Sequence, residues 1–168
     1  MGGEKKKGEV DLYRDTYVRY FGYANELGEA FRPLVPAALV WGSYGVSSIY
    51  VLADTYDKVG KTQQKFSSYP PRRQQAEMFQ AGVDTCLWQA FASVIIPGFT
   101  IHSIVGWTKK AVTSVKAPKA AVVAVPTAVG LGAIPLIIHP IDSFVDWAMD
   151  NTLRKAFEPI KSWWAGSK

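Results

Sequence analysis

The sequence predicts an all-α fold: a multi-pass membrane helical bundle of three transmembrane helices, with amphipathic helices flanking it at the N- and C-terminal ends. Three observations carry that expectation. Ala120 to Ile141, AAVVAVPTAVGLGAIPLIIHPI, holds no Asp, Glu, Lys or Arg for 22 residues, and about 20 helical residues cross a hydrocarbon core of roughly 30 Å. Two further runs, 34–53 and 85–108, carry no formal charge over 20 and 24 residues. The charged residues collect between these runs, and many of the aromatics stand at their edges, as an interfacial belt places them. The mean hydropathy of +0.01 would suit a soluble chain, but it averages apolar blocks with charged connections.

Residues 1–10 read as a short charged tail, and 11–164 as a single membrane domain. The stretch 11–32 reads as an amphipathic helix. Tyr13, Tyr17, Tyr20, Phe21, Ala24, Leu27, Gly28 and Phe31 recur at helical spacing, with Asp11, Arg14, Asp15, Asn25, Glu26, Glu29 and Arg32 on the other side. Such a helix either packs on the rest of the protein or lies in the headgroup plane.

The first expected span is 34–53. Pro33 and Pro36 suit its first turn, where a missing N–H costs nothing. Ala38 with Gly42, and Ser43 with Ser47, are small residues four apart, a spacing that lets helix backbones approach closely in lipid. Residues 54–81 read as a polar loop with a hinge at Ser67-Ser68-Tyr69-Pro70-Pro71. The second span, 85–108, carries Gln89, Ser93, Thr100, His102 and Ser103, polar groups that need partners in hydrocarbon. Pro97-Gly98 in its middle should kink it or break it.

Lys109, Lys110, Lys116 and Lys119 form a loop of positive charge without an acid. The third span, 120–141, contains Pro126 and Pro135 and a second close-packing stripe of Ala124, Ala128 and Gly132. With its small residues it reads as a helix turned mainly towards protein. Residues 142–164 form the second amphipathic helix, with Trp163 and Trp164 as interfacial anchors. The lysine loop places itself and the N-terminus on the inner side of the membrane.

Several functions are disfavoured. The net charge of +5 and pI of about 9.3 fit an anionic membrane surface, and the aromatics do not interleave with a basic patch as single-stranded nucleic acid would require. No phosphate-binding Gly-rich loop or nucleophile elbow occurs. The single cysteine, Cys86, can form neither an internal disulfide nor a Cys-based zinc cage. No apolar segment follows the early lysines as in a secretory signal, and Glu4, Glu9 and Asp11 are foreign to a transit peptide, so targeting information is expected inside the chain. Lys6 stands where a myristoylation motif wants Ser or Thr. No enzyme activity, metal or cofactor is expected.

The segments DLYRDTYVRYFGYANELGEAFRPLVP (11–36), SYGVSSIYVLADTYDK (43–58), VDTCLWQAFASVIIPGFTI (83–101) and AIPLIIHPIDSFVDWAMD (133–150) resemble the mitochondrial fission process protein family, an 18-kilodalton membrane protein family. The chain departs at His102, where Asn is expected in animal members, and in the linkers 59–80 and 106–125. The resemblance implies a non-enzymatic, multi-pass protein of the mitochondrial inner membrane that influences fission and inner-membrane integrity. Its expected partners are membrane lipids and other inner-membrane proteins. In such a membrane Lys109, Lys110, Lys116 and Lys119 could contact an anionic phospholipid such as cardiolipin.

Two alternatives stand beside this reading. One is an accessory subunit of a large inner-membrane complex. The other is a proton or small-solute carrier using His102 and His139, each of which follows a helix-interrupting proline, Pro97 and Pro135. A structural hydrogen-bonding role is the plainer account of both histidines.

Overall fold

A computed structural model describes Tyr13 and residues 16–164, without the side chains of Arg19, Lys161, Ser162 and Trp164. The expected tail 1–10, the positions Asp11, Arg14 and Asp15 and the Trp164 anchor therefore lie outside the described residues. Within them every regular element is helical. A 3-10 segment, Tyr17–Tyr23, leads into α1, Ala24–Ala30. It is followed by α2, Ala37–Lys65, α3, Pro71–Gln89, a π-helical segment, Ala90–Ile95, α4, Ile96–Ser114, α5, Lys119–Asn151, and α6, Leu153–Trp164.

Local chemistry sets most of the boundaries. Pro36, Pro70 and Pro118 are the extended N-cap residues of α2, α3 and α5, where the absent N–H has no helical acceptor to miss. Residues 54–81, expected as a polar loop, are mostly helix. The connection shrinks to a turn at 66–70, and α2 and α3 pack as a helical hairpin. At Pro97 the missing N–H leaves the Ser93 carbonyl without its usual partner. The chain answers with the π turn one residue before α4 and remains a continuous helix, so the expected kink takes the form of a local widening. Hydroxyls along the helices fold back onto carbonyls one turn earlier, as at Thr55, Thr100, Thr108 and Thr127, which satisfies them without an outside partner.

Among the described residues two helices are long and apolar enough to cross a membrane, Pro71–Ser114 and Lys119–Ile160. They contain the expected spans 85–108 and 120–141. The other expected span, 34–53, lies in α2, which is not among them. The expectation that 120–141 turns mainly towards protein is overturned, because only 17% of that helix's apolar window is buried. The expected C-terminal amphipathic helix is also divided. α5 continues to Asn151, and Thr152 breaks the line with φ −123° and ψ −86° before α6 folds back against α3, where Phe157 meets Phe79 edge-on.

The interior is assembled around α1, which packs on α2, α4 and α5. One apolar cluster joins Ala30 of α1 to Ile101, Val105 and Ile134, and a second joins Ala92, Ile141, Val145 and Met149. The interior also holds enclosed polar side chains, Asn25, Glu26, Glu29, Ser47, Asp54 and Gln89. The outer surface meanwhile carries large apolar groups such as Trp41, Ile49, Leu52, Phe99 and Leu136. Soluble proteins distribute these residue types the other way round.

α1 carries this inversion on a single helix. Its expected apolar side, with Leu27 and, flanking it, Tyr17, Tyr20, Phe21 and Phe31, faces outward, while Asn25, Glu26 and Glu29 are buried. The stretch therefore packs on the protein through its polar side.

A buried polar hub around the N-terminal helix

Glycine seats bring α1 close enough for its short polar side chains to reach neighbouring helices. A Cβ at Gly28 would stand 1.9 Å from the Ser43 hydroxyl oxygen, and one at Gly98 would stand 2.6 Å from the Tyr44 hydroxyl and 3.0 Å from Asn25 Nδ2. One at Gly130 would meet Val105 at 2.7 Å and the Ala30 backbone at 3.2 Å. α2 and α5 thus approach the α1 backbone closely, and α4 meets its Asn25 side chain at Gly98.

Asn25 ties this wedge to two helices. Its backbone N–H donates to Ser47 Oγ at 3.1 Å, and the Ser47 hydroxyl donates back to Asn25 Oδ1 at 2.8 Å. Its Nδ2 donates to the Val94 carbonyl at 3.1 Å, inside the π segment. The widened helix turn is thereby used as a docking point.

Glu29 is fully engaged. Arg32 donates to both carboxylate oxygens at 2.6 Å, Tyr44 donates its hydroxyl at 3.1 Å, and His102 Nδ1 stands at 3.0 Å. Burial alone would raise its pKa, but the hydrogen bonds from Arg32 and His102 outweigh that and hold the carboxyl below its ordinary value.

Glu26, one turn earlier, is in the opposite condition. It is 0% exposed, and neither carboxylate oxygen has a hydrogen-bond partner. Burial pushes it up to about 8, its own backbone amide pulls back only in part, and the negative charge of Asp142 adds to the rise.

A second polar chain joins α2 to the π segment. The Gln89 amide donates to Asp54, Lys58 pairs with Asp54 at 3.4 Å, and Ser93 donates to Gln89 Oε1 at 2.6 Å. Gln89 and Ser93 border a cavity of about 200 Å³ that Tyr50, Trp88, Asp142 and Asp146 also line. At its edge Trp88 donates to Asp146 at 3.0 Å, and Arg154 of α6 reaches Asp84 of α3 through two bonds, 2.7 and 3.1 Å, as well as Asp146 and Asp150 of α5. Asp84 is the anchor of this clamp.

The residues expected to matter are distributed unevenly. Ser43 and Ser47 face α1, whereas Ala38 and Gly42 on the same helix are exposed. Ala124, Ala128 and Gly132 are exposed, and a Cβ at Gly132 would meet nothing within 4 Å. Pro97 and Gly98 are buried at the hub, while Pro135 and His139 are exposed on α5. No hydrogen bond joins His139 to His102, which is committed to Glu29. Lys109, Lys110, Lys116 and Lys119 are all exposed. No group of three or more His, Cys, Asp or Glu side chains suited to a metal ion occurs among the described residues.

Sequence reasoning missed Asn25, Glu26 and Glu29 as interior groups because it assigned polar side chains to the solvent side. The contrary sign was present in FGYANELGEAF, where Ala24, Gly28 and Ala30 are interleaved with the acids. Small residues there mark close packing rather than exposure.

The family model Mitochondrial 18 KDa protein (MTP18) matches residues 13–149. The chain is 51% identical over 158 residues to the mitochondrial fission process protein 1 of Homo sapiens, covering 94% of each chain. It is 46% identical over 149 residues to that of Danio rerio, covering 88% of this chain and 89% of the relative. It is also 46% identical over 154 residues to that of Caenorhabditis elegans, covering 90% and 92%. No solved structure matches the chain.

Proposed function

The chain belongs to the mitochondrial 18 KDa protein family, and on that premise we propose that it is a non-enzymatic, multi-pass protein of the mitochondrial inner membrane that regulates mitochondrial fission and inner-membrane integrity. The names of its relatives support a part in mitochondrial fission. The observation that carries the membrane side of the reading is the inverted distribution of side chains, with Asn25, Glu26, Glu29, Asp54 and Gln89 inside and Trp41, Ile49, Phe99 and Leu136 outside. In a bilayer apolar groups cost nothing at the surface, and polar groups must find partners within the protein.

On this reading α2 supplies the third crossing. Its residues 37–53 carry no charge and present Leu39, Trp41, Ile49 and Leu52 outward. The hub joins the crossing helices through α1 and gives the bundle a fixed shape from which partners or lipids can be organised. The exposed lysines between α4 and α5 are the basic element available to anionic headgroups.

Alkaline extraction of mitochondria, protease protection in mitoplasts and mitochondrial length after depletion test the three parts of this reading. Retention in the membrane, protection until the outer membrane is opened, and altered length restored by re-expression are expected. Release into the alkaline supernatant or unchanged length would contradict it.

The exposed stripe Ala124–Ala128–Gly132 favours the accessory-subunit reading as a second possibility, since it offers another helix a close approach. Native electrophoresis after mild solubilisation separates the two, because a subunit migrates with a large complex and a free regulator does not.

A further inference from the structure

We propose that Glu26 is a proton-binding site that controls whether the N-terminal segment 17–30 stays seated between α2, α4 and α5. The seat fits a neutral side chain. Glu26 is wholly enclosed, both of its oxygens lack partners, and the helix carrying it is packed closely against its neighbours at Gly28, Gly98 and Gly130. An ionised carboxylate there would lack the solvation that water supplied and would regain only part of it from its own backbone amide.

Among the described residues, the charged and titratable groups around the hub do not relieve it. From α5 it is opposed by Asp142, whose charge raises the cost of ionisation. Tyr44 of α2 and His102 of α4 both engage Glu29, and the guanidinium of Arg32 is bound to Glu29 as well. Tyr50 of α2 donates its hydroxyl to the Tyr13 carbonyl. Among the described side chains, Arg32 and His102 are therefore both spent on Glu29.

The cavity of about 200 Å³ brings Gln89, Ser93 and Asp142 together with Gly22 and Tyr23 of the segment itself. It opens beside the segment and holds Asp142, the group whose charge bears on Glu26. The chemistry is a simple dissociation, carboxylic acid to carboxylate and a proton passed to solvent. When the proton leaves, desolvation and the charge on Asp142 are relieved if the segment withdraws. Withdrawal breaks the bonds from Asn25 to Ser47 and to the Val94 carbonyl.

The sign follows from a folded-state pKa raised from 4.5 to about 8. Docking is strongest below the ordinary value and weakens as pH rises, by about tenfold per unit in the docking constant, until about pH 8, where the loss levels off.

The test uses the full chain in phosphatidylcholine nanodiscs. Infrared titration should show a protonated-carboxyl band that disappears as pH rises towards and past 8, and that is absent in Glu26→Gln. Amide exchange across 17–30, corrected at each pH for the intrinsic rise of base-catalysed exchange, should increase about a hundredfold between pH 6 and pH 8 in the unmodified chain and stay flat in Glu26→Gln. Asp142→Asn should move the infrared midpoint to lower pH, which keeps the test open if Glu26→Gln folds poorly. A band that persists in Glu26→Gln, equal pH dependence of exchange in both proteins, or an unmoved midpoint in Asp142→Asn would overturn the proposal.

Discussion

His102 Nδ1 stands 3.0 Å from a carboxylate oxygen of Glu29, 73 residues earlier in the chain. The bond crosses from α4 to α1, and the Nδ1 position must carry the proton to face an acceptor that Arg32 keeps ionised. A side chain that keeps one donor in this place should serve nearly as well. His102→Asn should therefore change stability by less than about 1 kcal/mol, whereas His102→Leu should cost about 1–3 kcal/mol by leaving part of a buried carboxylate unmatched. Thermal unfolding in detergent micelles measures both.

The glycines divide into seats and open positions. Gly130→Ala would press a Cβ to 3.2 Å from the Ala30 backbone and 2.7 Å from Val105, and should destabilise the protein by about 1–3 kcal/mol, as overpacking does. Gly132→Ala and Gly42→Ala meet open space and should leave the isolated protein as stable or slightly more so. If Gly132→Ile preserves stability but shifts migration on native gels, the outward stripe is meeting another chain.

Glu26 and Glu29 should give docking of α1 opposite pH limbs. The contribution of Glu29, whose folded value is lowered, is present above about 4.5 and is lost as pH falls through that lower value. The contribution of Glu26 is lost in the other direction. Amide protection of residues 24–30 should fall on both sides of a mildly acid optimum, and Glu26→Gln should abolish only the alkaline limb.

Much of this organisation could be read from sequence, and the rest failed for a physical reason. The apolar runs at 85–108 and 120–141 declare themselves through the absence of charge, and both lie in helices long enough to cross a membrane. Pro97 announced a disturbance and the structure places a π turn just before it. The polar residues of 24–29 were read backwards because periodicity identifies two faces but not which of them meets the protein. That depends on the medium, and in lipid the assignment reverses. Asp54 falls in the expected polar loop 54–81 for the same reason, although it is 0% exposed and bonded to Gln89.

Lys116 holds φ at +54°, where the chain turns out of α4 and Ala117 N–H returns to the Val112 carbonyl. This is a helix end that glycine serves with less strain. Lys116→Gly should raise stability by about 1 kcal/mol. If the lysine loop contacts anionic lipid, the same change should weaken sedimentation with cardiolipin vesicles, so stability and lipid binding would move in opposite directions.

Arg154 joins α6 to α3 and α5 through Asp84, Asp146 and Asp150. Arg154→Ala should cost about 1–2 kcal/mol at low salt and less at high salt, since the clamp is partly solvated. Faster proteolysis within 153–164 is the expected sign. Arg154→Lys should rescue it incompletely, because an ammonium cannot reproduce the two-pronged bond to Asp84.

The account rests on the medium that surrounds the bundle. Nitroxide labels on single cysteines at Leu27, Ile49, Phe99 and Leu136, all outward-facing, in a Cys86→Ser background and in reconstituted bilayers, test it most directly. Each label should collide more often with dissolved oxygen than with a water-soluble nickel chelate, and labels at Ser67 and Lys116 should show the reverse. Preferential collision with the chelate at Ile49, Phe99 and Leu136 would contradict the account.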